Sequence, residues 1–225
     1  MFKSTQNFNL ILSTLCLLFF KSSFAVDWYN LLPYNTTTCT SGTMYGLGYS
    51  FIGNASYCTA NIEGTLHSAT SFVNNLVKVQ FYSNWAPKVC ANPSLASNYQ
   101  LNTCQDSQLQ GFNMNPNGLW YTKNFYVNKT TSPVYPTTGT LKTNMLFTMY
   151  DLTCTSITSY AYFIGHTVIH DPNDSNIYYN YYCQNGIPYR EYCELEWGCD
   201  STPQDLTQNC SSNFSYFIAR SVRCV

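Results

Sequence analysis

Several segments of the chain alternate between hydrophobic and polar residues with a period of two. This period is typical of β-strands that bury one face. In LVKVQFYS, Val77, Val79 and Phe81 share one face and the residues between them, two polar and one aromatic, share the other. NMLFTMYDL alternates in the same way, and three further segments are rich in aromatic and β-branched residues: SYAYFIGHTVI, NIYYNYYC and SYFIARSVRCV. All five segments predict strands.

Turn-forming residues separate these segments, at 115–118 (NPNG), 171–174 (DPND) and 184–188 (QNGIP). One segment, SATSFVNNLV at 68–77, fits a helix instead, because its apolar residues recur at helical spacing. β-Branched residues follow it and weaken that interpretation. GLGYS at 46–50 lacks the third glycine of a dinucleotide-binding loop, and we interpret it as a turn.

The pattern predicts a mainly β fold, most simply a disulfide-stapled antiparallel sandwich. Residues 128–140 are rich in Thr, Pro and Gly and form a possible internal boundary. Four of the cysteines that follow residue 25 precede this boundary and six come after it. Two modules of about a hundred residues would suit that division, and so would a long loop within one domain.

The first 25 residues have the organisation of a secretory signal peptide. Lys3 precedes an apolar run at 10–20, and small residues at Ser23 and Ala25 form a cleavage site. A membrane anchor is the alternative, but eleven helical residues reach only about 17 Å of a hydrocarbon core about 30 Å thick. We therefore expect cleavage after Ala25, an exported domain at 26–225, and no stable membrane insertion.

Ten cysteines remain after residue 25, and an even number in an exported chain predicts a disulfide framework. They are Cys39, Cys58, Cys90, Cys104, Cys154, Cys183, Cys193, Cys199, Cys210 and Cys224. No Cys-x-x-Cys pair occurs, which disfavours a structural zinc site. Spacing does not fix the connectivity, so we expect neighbours to pair: Cys39 with Cys58, Cys90 with Cys104, and Cys193 with Cys199.

Six sequons for asparagine-linked sugar indicate the same compartment, and they begin at Asn35, Asn54, Asn128, Asn173, Asn209 and Asn213. Occupied sites must face solvent, so these positions are predicted to lie at the surface. Only 9% of all residues are charged. Removing Lys3 and Lys21 with the signal leaves eight basic against eleven acidic residues, so no basic patch for nucleic acid is expected.

The segment FIGHTVIHDPND carries the first candidate site, because His166 and His170 are four residues apart. On a helix, such a pair can share one metal ion. In a strand the same pair is separated by roughly 13 Å, which is too far for metal–nitrogen bonds of about 2 Å. Residues 167–169 favour a strand, and we therefore expect no metal site here.

The acidic segment REYCELEWGCD is the second candidate, with Glu191, Glu194, Glu196 and Asp200. Paired carboxylates can cleave glycosides or bind calcium. We interpret these residues as solvated, on a small loop closed by Cys193 and Cys199. The chain contains no nucleophile motif and no cofactor loop, so no catalytic residue and no cofactor is predicted.

Aromatic residues supply the last candidate. The four tryptophans and twenty tyrosines could stack on sugars or anchor a protein partner, although core packing is the commoner role for any one tryptophan. The sequence therefore favours a secreted, glycosylated binding or adhesion module whose partner is a glycan or a cell-surface protein. A secreted hydrolase with a composite acidic and histidine site, and a structural matrix or coat component, are the alternatives.

Overall fold

The computed structural model describes residues 26–34, 36–40, 42, 44–53, 59–60, 66–72, 75–82, 95–107, 122–137, 143–151, 153–170, 174, 176–210 and 220–225. These residues contain sixteen strands. They are β1 (Trp28–Tyr34), β2 (Gly46–Ile52), β3 (Thr59–Ala60), β4 (Leu66–Phe72), β5 (Leu76–Tyr82), β6 (Leu95–Gln100), β7 (Thr103–Asp106), β8 (Asn124–Thr130), β9 (Met145–Tyr150), β10 (Ile157–Ile164), β11 (Thr167–His170), β12 (Ile177–Gln184), β13 (Ile187–Glu194), β14 (Gly198–Cys199), β15 (Gln204–Asp205) and β16 (Arg220–Cys224).

The strands form three sheets in which every pairing is antiparallel. The largest has seven strands in the order β16-β9-β10-β2-β1-β8-β7. A second, β3-β4-β5-β6, is a set of consecutive strands. The third has the order β11-β12-β13-β14, with β15 also paired to β13, and we call it the hairpin sheet. The prediction of a mainly β, disulfide-stapled antiparallel architecture is confirmed.

Both smaller sheets pack on one face of the seven-stranded sheet. The shared core contains Phe147 and Phe163 from the large sheet, Val77 and Val79 from β5, and Tyr181 from β12, all almost fully buried. The molecule is therefore a sandwich whose second layer is divided between two sheets. The predicted alternation of β5 is confirmed, since Val77 and Val79 are buried while the polar residues between and after them are half-buried.

The opposite face of the seven-stranded sheet has a smaller core, in which the ring of Tyr135 stacks on Tyr160 with centroids 4.4 Å apart. Asn30, which is fully buried, holds this covering segment in place. Its side-chain oxygen accepts a hydrogen bond from the Val134 amide at 2.9 Å, and its amide group donates to Asn128 at 2.8 Å. Residues 131–137 thus lie against the sheet, and strands from both sides of the 128–140 segment belong to that sheet.

Two expectations from the sequence are wrong. Residues 68–72 and 76–77 are not helical but belong to β4 and β5, which pair in register from Leu66 with Tyr82 to Phe72 with Leu76. The β-branched residues determine this outcome. Residues 46–50 are not a turn but the start of β2, where Gly48 makes room for a neighbouring ring. A Cβ atom on Gly48 would lie 2.4 Å from the ring of Tyr162.

Among the described residues, four disulfides join eight cysteines, and three of the four connect distant parts of the chain. The pairs are Cys39–Cys104, Cys154–Cys210, Cys183–Cys224 and Cys193–Cys199. The expected pairing of Cys193 with Cys199 is therefore present. The expected partners of Cys39 and Cys104 are wrong, because the antiparallel sheet brings these two residues together across a separation of 65 positions. Cys58 and Cys90 lie outside the described residues.

Candidate binding surface on the hairpin sheet

The chain enters the hairpin sheet through a sharp turn at Gly165 and His166. Gly165 has φ of +74°, a conformation that glycine adopts at little cost. Its amide donates a hydrogen bond to the side chain of Asn144 at 3.1 Å, and the hydroxyl of Tyr45 donates to the carbonyl of His166. These bonds fix the exposed His166 at the point where β10 of the large sheet gives way to β11.

Strands β12 and β13 form the body of this sheet, and their hairpin follows the predicted turn at 184–188. Gln184 pairs with Ile187, so the loop has two residues, Asn185 and Gly186, with φ of +54° and +78°. Positive φ at both positions is the signature of a type I′ turn, which an Asn-Gly pair favours. The turn fixes the register, and therefore decides which side chains share each face.

The inner face of the hairpin sheet attaches it to the core. Tyr181 is buried and stacks on Phe163 of the large sheet, with ring centroids 4.7 Å apart. The disulfide between Cys183 and Cys224 joins β12 to β16 covalently. The arginine of the inner face, Arg190, lies over the ring of Tyr179 at 5.3 Å. Stacking and a covalent bond thus hold the hairpin sheet to the seven-stranded sheet, and the cation–π contact joins β12 to β13 within the hairpin sheet.

The outer face carries the alternate residues, and it is aromatic and polar. Tyr182 pairs with Tyr189, and their ring centroids are 5.7 Å apart. The ring of His166 lies 5.3 Å from Tyr182 on the other side. The three rings form a row with interplanar angles of 45° and 32°. The alternation expected for YYNYY is confirmed, because Tyr181 is buried while Tyr182 is half-buried.

Glu191 lies in the middle of the outer face and is held there by Asn180. The Asn180 amide donates to Glu191 Oε2 at 2.9 Å and lies 3.3 Å from the Cys193 sulfur. Burial together with the nearby charge of Glu191 raises the pKa of Tyr182. Oε1 of Glu191 has no hydrogen-bond donor among the described residues, so this oxygen is available to a ligand.

An open hollow of about 410 Å³ lies on this face. Its lining consists of Thr143, His166, Tyr182, Cys183, Gln184 and Glu191. The hollow combines two aromatic rings with a carboxylate, a carboxamide and a hydroxyl group, which is the chemistry of a polar ligand site.

A second feature lies at the other end of the same sheet. Residues 194–198 are closed into a small loop by the disulfide between Cys193 and Cys199, which are directly paired residues of β13 and β14. We call this segment the Trp197 loop. The side chain of Trp197 is 82% exposed and that of Leu195 is 59% exposed, the two largest values among the exposed large hydrophobic side chains of the described residues. A short cross-linked loop thus presents two apolar side chains to solvent.

The segment that follows His166 and ends at His170 is a strand, as the sequence predicted. Thr167–His170 is β11, and it pairs with β12 from Thr167 opposite Tyr181 to His170 opposite Tyr178. Three residues lie between the two histidines, and an extended chain of this length separates them by roughly 13 Å, so they cannot share one metal ion. His166 instead belongs to the ring row. The side chains of His67 and His170 lie outside the described part of the structure.

The acidic residues do not form a catalytic pair within β13. Glu191 and Glu194 are three residues apart in a strand, so their side chains leave opposite faces of the sheet. Glu194 accepts a hydrogen bond from Tyr192 at 2.7 Å. Glu196 and Asp200 are exposed residues in and just after the loop. Glu191 does lie close to the Cys193 and Cys199 sulfurs. However, these sulfurs are joined in a disulfide and cannot act as thiolate ligands for a metal.

Two of the six predicted glycosylation sites are described. Asn209 is exposed, and Asn128 is half-buried with its side-chain oxygen hydrogen-bonded to Asn30. The other four asparagines lie outside the described residues.

Of the tryptophans, Trp28 packs near Tyr160 with centroids 5.7 Å apart, as expected for a core residue. Trp85 and Trp120 lie outside the described residues.

Sequence reasoning missed the exposure of Trp197. Core packing was the expected role for any one tryptophan, whereas the side chain of Trp197 is exposed to solvent. A signal was nevertheless present, because Trp197 lies among acidic residues in the short interval between Cys193 and Cys199. A loop that short cannot fold its tryptophan into a core when its ends are cross-linked.

Comparison with known proteins places the chain in a family. The profile of the counting factor-associated protein A/B/C family matches residues 4–221, which is nearly the whole chain. The chain belongs to this family. No curated protein and no solved structure matches it.

No helix of the described residues is long and apolar enough to cross a lipid bilayer. The multiple disulfides of this family member fit an extracellular protein.

Proposed function

We propose that this chain is a secreted binding subunit of an extracellular protein complex, and that the Trp197 loop is its principal contact with a protein partner. The observation that carries this proposal is the exposure of Trp197 on a disulfide-closed loop. The family name supports it, since members are described as associated with a counting factor. Residues 1–25 direct export, and the disulfides form in the export pathway.

The Trp197 loop has the properties of an interface hot spot. Tryptophan is enriched among the residues that contribute most binding energy, because it buries a large apolar surface in one rigid side chain. The cross-link between Cys193 and Cys199 restricts the loop before binding, which reduces the conformational entropy that association removes. Leu195 is also exposed and extends the apolar surface.

The proposal is tested by exchanging both apolar side chains for small or polar ones in the secreted protein. We expect the full chain, expressed with a tag in its native cells, to elute from a sizing column of the culture medium in a complex. The double variant Leu195→Ser/Trp197→Ala is expected to elute as a free subunit. A loss of about 2 kcal/mol or more corresponds to at least roughly 30-fold weaker association.

Leu76→Ser provides the matched control, because Leu76 is an exposed apolar residue of a different sheet. This variant should remain in the complex. Both variants should keep the stability of the parent chain within about 0.5 kcal/mol, as surface substitutions usually do. The proposal fails if the double variant stays in the complex, or if the parent chain is retained inside the cells.

A further inference from the structure

The hollow on the outer face is distinct from the Trp197 loop and offers different chemistry. Two rings line it, those of His166 and Tyr182, with centroids 5.3 Å apart and an interplanar angle of 45°. Tyr189 extends the row beyond the lining, with its ring centroid 5.7 Å from that of Tyr182. An extended aromatic surface suits a flat ligand of some length, whose apolar face can cover more than one ring.

Hydrogen-bonding groups surround this surface. Oε1 of Glu191, the carboxamide of Gln184 and the hydroxyl of Thr143 make no hydrogen bond with another described residue, and all three side chains line the hollow. Together they offer donors and acceptors for hydroxyl groups. Asn180 holds the Glu191 carboxylate in place through Oε2, so the free oxygen is already oriented.

We propose that this hollow binds a neutral, β-linked oligosaccharide. The rings of His166 and Tyr182 contact the flat face of the sugar, and Glu191 accepts hydrogen bonds from its hydroxyl groups. In β-linked glucose and N-acetylglucosamine the hydroxyl groups are equatorial, so the axial C–H groups form the apolar face that such rings cover. This site goes beyond the protein contact of the Trp197 loop and does not depend on it.

Charge and coordination chemistry argue against other ligands for this hollow. The Glu191 carboxylate lies within it and would repel sulfated or carboxylated sugars. A divalent cation prefers several oxygen ligands, and Glu191 is the one carboxylate among the residues that line the hollow.

The experiment is a calorimetric titration of the secreted, full chain with cellotriose and, separately, with chitotriose. We expect saturable binding of at least one of them with a Kd of about 1 mM or tighter. A heparin-derived hexasaccharide should bind at least about tenfold more weakly, because it is anionic. Tyr182→Ala and Glu191→Gln should each weaken binding of the neutral sugar about tenfold or more.

Two matched controls separate this site from its surroundings. Tyr178→Ala removes a tyrosine from the same face but outside the hollow, and Trp197→Ala removes the proposed protein contact. Both variants should bind the sugar as the parent chain does, within about twofold. If Trp197→Ala leaves the complex but still binds sugar, the two proposals are independent. Equal loss of sugar binding in Trp197→Ala would contradict the placement of the site.

A measurement on the parent chain covers the case in which Tyr182→Ala does not fold. The imidazole proton signals of His166, assigned with His166→Gln, should shift during the sugar titration and saturate with the calorimetric Kd. The proposal is overturned if neither neutral sugar binds, if the His166 signals do not move, or if Glu191→Gln binds as well as the parent. Tighter binding of the heparin hexasaccharide would also overturn it.

Discussion

The seven-stranded sheet and the hairpin sheet are built from similar aromatic-rich strands, yet they bury them differently. In β10 of the large sheet, the adjacent residues Tyr162 and Phe163 are both fully buried, although they leave opposite faces. In β12 of the hairpin sheet, Tyr181 is buried while the adjacent Tyr182 is only half-buried. At these positions the large sheet is covered on both faces, whereas the hairpin sheet is covered on the face that carries Tyr181.

The difference comes from elements that lie outside the strands. Residues 131–137 cover the far face of the large sheet, with Tyr135 stacked on Tyr160 and the Val134 amide bonded to Asn30. The outer face of the hairpin sheet instead carries the hollow and its ring row. Alternation in a strand shows which residues share a face, but it does not show whether anything covers that face. A functional surface is therefore found by asking which face remains open.

The largest effect should come from a residue that joins the two sheets. Phe163 is fully buried and contacts both Phe147 of its own sheet and Tyr181 of the hairpin sheet. Phe163→Ala should lower the free energy of unfolding by about 3–5 kcal/mol, because it leaves a cavity in the shared core. Denaturant unfolding of the oxidised protein measures this loss.

Tyr182→Ala is the matched comparison for Phe163→Ala, since it removes an aromatic ring that lies on the open face. This substitution should lower the free energy of unfolding by about 1 kcal/mol or less, because the side chain is only half-buried and little apolar area is lost. Similar losses for the two variants would mean that the outer face is covered in the folded protein. That result would contradict the difference between the sheets described above.

Much of the hairpin sheet could be predicted from sequence. Strand β12 follows from its aromatic residues, and the Asn185-Gly186 pair determines the turn and hence the register, whereas β13 was not predicted as a strand. The alternation then places Tyr182 with Tyr189 on one face. The β11 strand was also predicted, and it correctly separated His166 from His170. These features depend on residues that are close in the chain.

The remaining features depend on contacts between distant residues, and the sequence gives no local signal for them. Cys39 pairs with Cys104 and not with Cys58, because the order of strands in the large sheet brings them together. The hollow needs Thr143, His166 and Glu191 to meet, and no spacing rule predicts that meeting. Gly48 resembled a turn residue, whereas its role is to accommodate Tyr162.

Two disulfides distinguish the attachment of the hairpin sheet from the closure of its loop. The Cys183–Cys224 disulfide spans 41 positions and joins the two sheets, whereas Cys193–Cys199 spans six within one sheet. In the chain-entropy model, removing them by paired Cys→Ala exchange should cost about 4 and about 2 kcal/mol respectively. Hydrogen exchange should accelerate across β11–β13 in the first variant only. If hydrogen exchange instead accelerates only in the Trp197 loop in both variants, the disulfide does not attach the hairpin sheet. Stacking of Tyr181 on Phe163 would then be sufficient to hold it.

The smallest effect concerns two tyrosines whose pKa values are alike for different reasons. Burial is the main cause that raises the pKa of Tyr160 to about 12, with Tyr135 contributing. For Tyr192, the hydrogen bond to Glu194 is the main cause that raises its pKa to about 12. Both values exceed the ordinary tyrosine pKa of about 10, so the folded state favours the neutral phenol more than the unfolded state does. Their contribution to stability is complete below pH 10 and is lost as the pH rises towards 12.

Site-resolved NMR titration of the two ring signals can separate these causes. Glu194→Ala should move the pKa of Tyr192 towards 10 and leave that of Tyr160 unchanged, because the hydrogen-bond acceptor is removed from one sheet only. Tyr135→Ala should do the reverse, because water then reaches Tyr160 while Tyr192 keeps its partner. If Glu194→Ala leaves Tyr192 near 12, burial governs that residue as well. The inner face of the hairpin sheet, which carries Tyr192 opposite Tyr179, would then bury its side chains more like the large sheet does.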